Sequence, residues 1–306
     1  MTSNKQKRLA REYADQHGVK YTEALRAITD HTDQSSPSDL LHVALGRDLW
    51  SGEPYELPLD GTSPHVLITG PVGSGAQMAG VTIALQVGMK RMPWDLSLTG
   101  SIVVIDPHGT QAELWSGRGP RVTVSSVHDG SQTDADEMAT CLEEEAHRRA
   151  GLLTQHGVRR WVDLPADVLR EERLAPIVVL LPDFPAHMDH GWQSDVPSIV
   201  ARLVEETRLL GIHIILVGNF QHGDLPPKLR AARYARIVTG HASLQSLRST
   251  FGPRAPFDSP DWWEGAERRL GRPGQAHVHV PVDAEVRQVQ IEAWADFFSV
   301  PKVPLD

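Results

Sequence analysis

Residues 65–80 read HVLITGPVGSGAQMAG, an unalternated apolar run that ends in a glycine loop and restarts as a helix-like segment. No other stretch restricts the fold of this chain as much. The run 65–69 has the pattern of a strand covered on both faces. Gly70, Gly73 and Gly75 permit tight and left-handed backbone turns. A helix starting directly behind such a loop turns its N–H groups and the positive end of its dipole toward it, which makes a cradle for phosphate. The spacing from Gly70 to Gly75 is that of the pattern G-x-x-x-x-G-K-[ST]. Ala76 and Gln77 nevertheless stand where that pattern has lysine and Ser/Thr. The loop therefore reads as a site that still binds, as a lost site, or as a simple strand-to-helix connection.

The rest of the chain supplies the context that a phosphate loop needs. Further unalternated β-branched runs lie at 101–106, 175–181 and 211–219, and helix-like segments at 76–90, 133–157 and 195–209 fall between them. Strands alternating with helices predict an α/β fold: a doubly wound, mostly parallel sheet with flanking helices. A weaker strand at 235–240 and the pair AHVHVPV and VRQVQIEAW complete the sheet. Upstream, LHVALGRDLWSGEPYELPLDG reads as a hairpin turning at SGEP. Residues 1–38 form a small helical prefix in two pieces, broken near Gly18 and ending in the polar linker TDQSSPSD. The remaining residues, 39–306, read as one domain.

Composition narrows the functional classes. The chain has 306 residues and a formal charge of −9, a poor bulk field for nucleic acid, although local patches outweigh sums. A single cysteine, Cys141, excludes a disulfide framework and a cysteine-based metal site. No stretch reaches the ~18 apolar residues of a membrane span, and the first residues lack the apolar core of a signal peptide, so a cytoplasmic address is expected.

Taken in order, several segments resemble the motor domain of the FtsK/SpoIIIE DNA translocases, P-loop NTPases with a RecA-like sheet. LHVALGRDLWSGEPYELPLDGTSPHVLITGPVGSG is similar to that family's hairpin and phosphate loop. SIVVIDPHG falls on its "IDPK" strand, APIVVLLPDFPAHM on its Walker B strand, and TRLLGIHIILVGNFQ on its sensor strand. RIVTGHASLQSLRSTFG and LGRPGQAHVHV occupy the places of later segments. The likeness covers about residues 41–295. It implies an oligomeric ATPase that moves double-stranded DNA or, in type VII secretion relatives, engages protein substrates.

On that resemblance the nucleotide-binding positions are Gly70, Pro71, Val72, Gly73, Ser74, Gly75, Ala76 and Gln77. Pro182 replaces the Walker B aspartate, Asp183 stands at the catalytic glutamate position, and Asn219 replaces the sensor glutamine. Arg208 falls on the arginine before the sensor strand, where it could face a neighbour's site in a ring. Phosphoryl transfer is catalysed almost wholly by positioning and charge stabilisation, and losing one donor costs about 10²–10³-fold in rate. The expectation is a catalytically degenerate module, a pseudo-ATPase. It would bind ATP weakly, with or without Mg²⁺, and serve as scaffold or regulatory subunit beside itself or an intact relative. The alternatives are an active divergent DNA translocase and a secretion-type module for protein substrates. Lys228, Arg230, Arg233 and Arg236 form the best local basic segment for double-stranded DNA.

Other features have plainer explanations. His187 and His190 with Asp183 and Asp189 could ligate a metal, but 15 histidines make such clusters common by chance, and no metal is expected. His213 is expected to be structural, and His277 and His279 to lie on a half-exposed strand face. Glu144–Arg148 and Glu145–Arg149 have the i,i+4 spacing of a solvated helix face. Trp262 and Trp263 read as a partner anchor or as cover for a core edge.

Overall fold

The computed structural model describes residues 41–59, 64–106, 112–115, 121–126, 132–188, 196–220, 234–240, 274–280 and 286–292, with single residues and short pieces elsewhere. Nearly all of the prefix 1–38, together with His190, Trp262 and Trp263, lies outside them.

The first described strands are β1 (His42–Asp48) and β2 (Pro54–Pro58), which form the expected hairpin. Its turn is fixed by Asp48, whose Oδ1 accepts the N–H groups of Trp50 at 2.8 Å and Ser51 at 3.0 Å. Then follow β3 (His65–Thr69), α1 (Ala76–Gly88), a small hairpin of β4 (Arg91–Met92) and β5 (Asp95–Thr99), and β6 (Ser101–Asp106). After α2 (Ala112–Trp115) come β7 (Val122–Ser126), α3 (Gln132–His156), α4 (Ala166–Glu171), β8 (Ile177–Leu181), α5 (Val196–Glu206) and β9 (Ile212–Gly218). The last strands are β10 (Tyr234–Thr239), β11 (Gln275–His279) and β12 (Val286–Ile291).

Among the described residues ten strands form one sheet in the order β2-β1-β12-β11-β10-β3-β9-β8-β6-β7. The segment from β10 to β7 is parallel throughout, and its central strands β3 and β9 are buried at every position. This is the sheet that unalternated β-branched runs require, since each such strand is covered on both faces. The other strands are antiparallel, so the sheet is mixed. β12 lies between β11 and β1, and the hairpin β1–β2 thus joins the main sheet through the last of the described strands. Helix α1 is buried on most of its surface. Gln86 ties it to β1, accepting from the Ala44 N–H at 2.9 Å and donating to the Ala44 carbonyl at 2.7 Å.

Two expectations about side chains are corrected. The charged face of α3 is only partly solvated: Arg149 is 3% exposed and donates to the carbonyls of Leu210, Ala175 and Gly211 at 2.8, 2.8 and 3.3 Å. Glu145 meets both Arg149 and Arg148, at 2.7 Å each, while Arg148 also reaches Glu172 on the far side of α4. Of the two expected i,i+4 pairs Glu145–Arg149 forms, whereas Arg148 turns to Glu145 and Glu172; Arg149 also anchors the helix to the turns that precede β8 and β9. His277, in turn, is buried at 2% exposure beside Gln288 of the adjacent strand β12, whereas His279 is half-buried, so the expectation of a half-exposed face holds only for the second.

Candidate nucleotide site

The parallel strands run in the same direction, so their C-terminal ends open on one edge, where open α/β sheets bind ligands. Thr69 pairs with Gly218 and with Val238, which brings the phosphate loop between the ends of β9 and β10. Leu181 pairs with Leu216, and Val104 with Leu180, placing Asp183 and the end of β6 on the same edge. Loop strand β3 and Walker B strand β8 are thus separated by the sensor strand β9. Along this edge the tertiary structure collects Gly70–Gln77, Asn219, Asp183 and, beyond them, Asp106 and His108.

The loop has the backbone of a cradle. Gly73 and Gly75 adopt φ of +84° and +94°, in the left-handed region that residues with a Cβ avoid. Gly75 is the N-cap of α1, and the first helical bond runs from the Ala79 N–H to the Gly75 carbonyl at 2.9 Å. The first-turn N–H groups therefore have no acceptor within the helix and face the loop. No acid stands in that first turn to oppose an anion. Pro71, Val72 and Gly73 are exposed, with Val72 fully so at the loop tip.

The loop is clamped from the β10 side. Ser74 is buried and its hydroxyl lies 2.7 Å from that of Thr239, so this side chain braces the loop instead of facing the open edge. The Ser74 carbonyl accepts from the Gly274 N–H at 3.2 Å, and the Gly70 N–H donates to the Gly218 carbonyl at 3.3 Å. A Cβ on Gly70 would collide with the hydroxyls of Thr239 and Ser74, which explains the first glycine.

The positions that would act on phosphate carry other groups. Ala76 is buried and aliphatic, and Gln77 is half-buried. Pro182 is buried and offers no side-chain oxygen. Asp183 has φ +48°, an uncommon left-handed conformation that aspartate tolerates, and its Oδ2 lies 3.0 Å from His108 Nε2. A carboxylate only accepts, so Nε2 carries the proton in this bond. The backbone N–H of His108 donates to Asp106 Oδ1 at 3.1 Å, and Asp106 is 1% exposed. Phe184, fully buried, packs on Phe220 at a centroid distance of 6.4 Å and so couples the Asp183 turn to the loop that carries exposed Asn219.

Sequence reasoning did not single out His108. Its signal was nevertheless present, since it occupies the lysine position of the "IDPK" segment directly after a buried strand. Arg208 sits on the turn Thr207–Leu209 before β9, at the opposite end of the strands from the loop. It is therefore not part of the edge that carries the glycine loop. The basic segment is not one exposed strip. Lys228 is exposed and lies 3.7 Å from Glu205, whereas Arg236 belongs to β10 and donates to the Thr250 carbonyl at 2.5 Å. Arg230 and Arg233 lie outside the described residues. His213 is buried, with Nδ1 2.9 Å from the Pro64 carbonyl, a packing role far from the loop.

No protein-family model matches the chain. It is 27% identical over 259 residues to the DNA translocase FtsK of Halalkalibacterium halodurans, an alignment that covers 81% of this chain and 30% of that protein. The DNA translocase FtsK of Listeria monocytogenes is 26% identical over 263 residues, covering 81% and 31%. The chain thus spans about a third of the length of the curated relatives it matches. Among solved structures it is similar to the cytoplasmic domain of the Thermomonospora curvata type VII secretion ATPase EccC, with a TM-score of 0.65, 20% identity, and coverage of 86% and 30%. It is also similar to the pCW3 conjugation coupling protein TcpA, with a TM-score of 0.64, 16% identity, and coverage of 84% and 67%. Among the described residues no helix is long and apolar enough to cross a membrane. Loop geometry, strand order and relatives agree: the chain is similar in sequence to part of the FtsK DNA translocases and has the fold of P-loop ATPase motor domains.

Proposed function

We propose that this chain is a catalytically degenerate FtsK-like module that binds nucleotide at its glycine loop and acts as a nucleotide-responsive scaffold or regulatory subunit. One observation supports this most: the cradle backbone keeps its left-handed glycines and helix start, while the groups that would drive hydrolysis are replaced. Backbone N–H groups and the helix dipole attract phosphate without a lysine. Charge stabilisation of the transition state needs the side chains that Ala76, Gln77 and Pro182 lack. The relatives' names support service in a DNA-translocation or transfer system, beside copies of itself or an intact relative. Arg208, exposed at the far end of β9, is the arginine offered across such an assembly.

Titration calorimetry with ATP tests the binding half of this reading. Wild-type protein is expected to bind in the micromolar range, and Gly75→Trp, folded by its melting curve, to lose that heat. No heat from the wild type overturns it. The catalytic half is tested by turnover: ATP hydrolysis is expected at background, and a robust rate that Asp183→Ala abolishes would refute degeneracy.

A further inference from the structure

P-loop ATPases hold their nucleotide with Mg²⁺, a hard cation that demands oxygen ligands in near-octahedral geometry. The donor set at this edge does not fit it. Gln77 offers a longer, neutral amide in place of a hydroxyl, and Pro182 offers nothing. The carboxylates there are engaged by one residue: Asp183 by the His108 side chain, and Asp106 by the His108 backbone N–H. Among the described residues, no group of three or more His, Cys, Asp or Glu is disposed to hold a metal ion.

We propose that His108 takes the place of the divalent cation, so that the cradle binds nucleoside polyphosphate without Mg²⁺. This rests on the nucleotide-binding reading above and deepens it. The geometry supplies the reason. Asp183 and His108 are 75 residues apart in sequence and project from the ends of adjacent strands β8 and β6. The Nε2–H bond holds the Asp183 carboxylate on the imidazole, so that this oxygen is engaged within the protein and is not offered to a cation at the phosphate edge. Removing the imidazole returns Asp183 to the edge as an oxygen ligand beside Asp106.

The test compares ATP affinity in EDTA and in Mg²⁺ for the wild type, His108→Ala, and His108→Ala combined with Asp183→Asn. The wild-type dissociation constants are expected to agree within about threefold. His108→Ala is expected to acquire a Mg²⁺ dependence that Asp183→Asn removes. A tenfold or larger tightening of the wild type by Mg²⁺ overturns the inference. Mn²⁺ titration of the nucleotide-free proteins, read by electron paramagnetic resonance, gives an independent arm. The wild type is expected to bind no Mn²⁺ at this edge and His108→Ala to gain a site. Mn²⁺ binding by the wild type that Asp183→Asn abolishes refutes the exchange of histidine for metal, whatever the nucleotide does. Absence of ATP binding in both EDTA and Mg²⁺ refutes the parent reading and the inference with it.

Discussion

Acidification from pH 7 to pH 5 is expected to destabilise this protein through buried neutral histidines. His65 and His213 sit where β3 and β9 begin. The His65 Nε2–H donates to the Val204 carbonyl at 3.1 Å, and Nδ1 accepts from the Ile214 N–H at 3.1 Å, so both ring nitrogens are satisfied only in the neutral tautomer. His213 donates from Nδ1 to the Pro64 carbonyl at 2.9 Å. Burial, with the neighbouring His213, pushes the His65 pKa down to about 3, and burial lowers His213 and His277 to about 4 each. In the unfolded chain each titrates near 6.5. Between pH 6.5 and 4 the unfolded state therefore binds more protons, and stability falls as the pH falls. Full stability is present above 6.5. From pH 7 to 5 the loss is about 2 kcal/mol per histidine and about 6 kcal/mol for the three, with a slope of about 4 kcal/mol per pH unit near 5.5. That rivals the whole stability of an ordinary domain. Urea unfolding at pH 7, 6, 5.5 and 5 measures it. His213→Gln, which keeps a side-chain donor but does not titrate, is expected to lower the slope by about a third. A free energy of unfolding that is flat from pH 7 to 5, or an unchanged slope in the variant, would refute the reasoning.

Other substitutions probe different parts of the molecule. Arg149→Met is expected to cost about 3 kcal/mol or more, because it leaves the buried carbonyls of Ala175 and Leu210 without their donor; chemical denaturation reads this. Phe184→Ala should cost about 3–5 kcal/mol, from the cavity opened between the Asp183 turn and Phe220, again by denaturation. Gly70→Ala drives a methyl into Thr239 and Ser74 and is expected to lower both melting temperature and ATP affinity, whereas Ser74→Ala should lower the melting temperature more than the affinity.

Local sequence carried most of the fold. Strands buried on both faces announce themselves by unalternated β-branched runs, and the 65–69, 101–106, 175–181 and 211–219 segments all became parallel strands. The small hairpin 91–99 and strand 122–126 were missed, the first because it is short and polar at its ends and the second because VTVSS is a five-residue alternating run and not an unalternated apolar one. Glycine spacing marked the cradle, since left-handed φ at Gly73 and Gly75 is a local demand of the loop. What the side chains of that site do was less legible. Ser74 read as a phosphate contact, yet its hydroxyl meets Thr239, which lies 165 residues away in sequence.

By itself, then, the sequence determined the strand-helix rhythm, the position of the glycine loop, and the presence of Ala76 and Gln77 where the loop pattern has lysine and a hydroxyl, because each is a property of neighbouring residues. Only the tertiary structure decided which distant groups share the open edge. It set His108 on Asp183 and buried Arg149 under turns that spacing alone would leave in solvent. These depend on strand order and register, which bring chain segments together across long separations that no local pattern encodes.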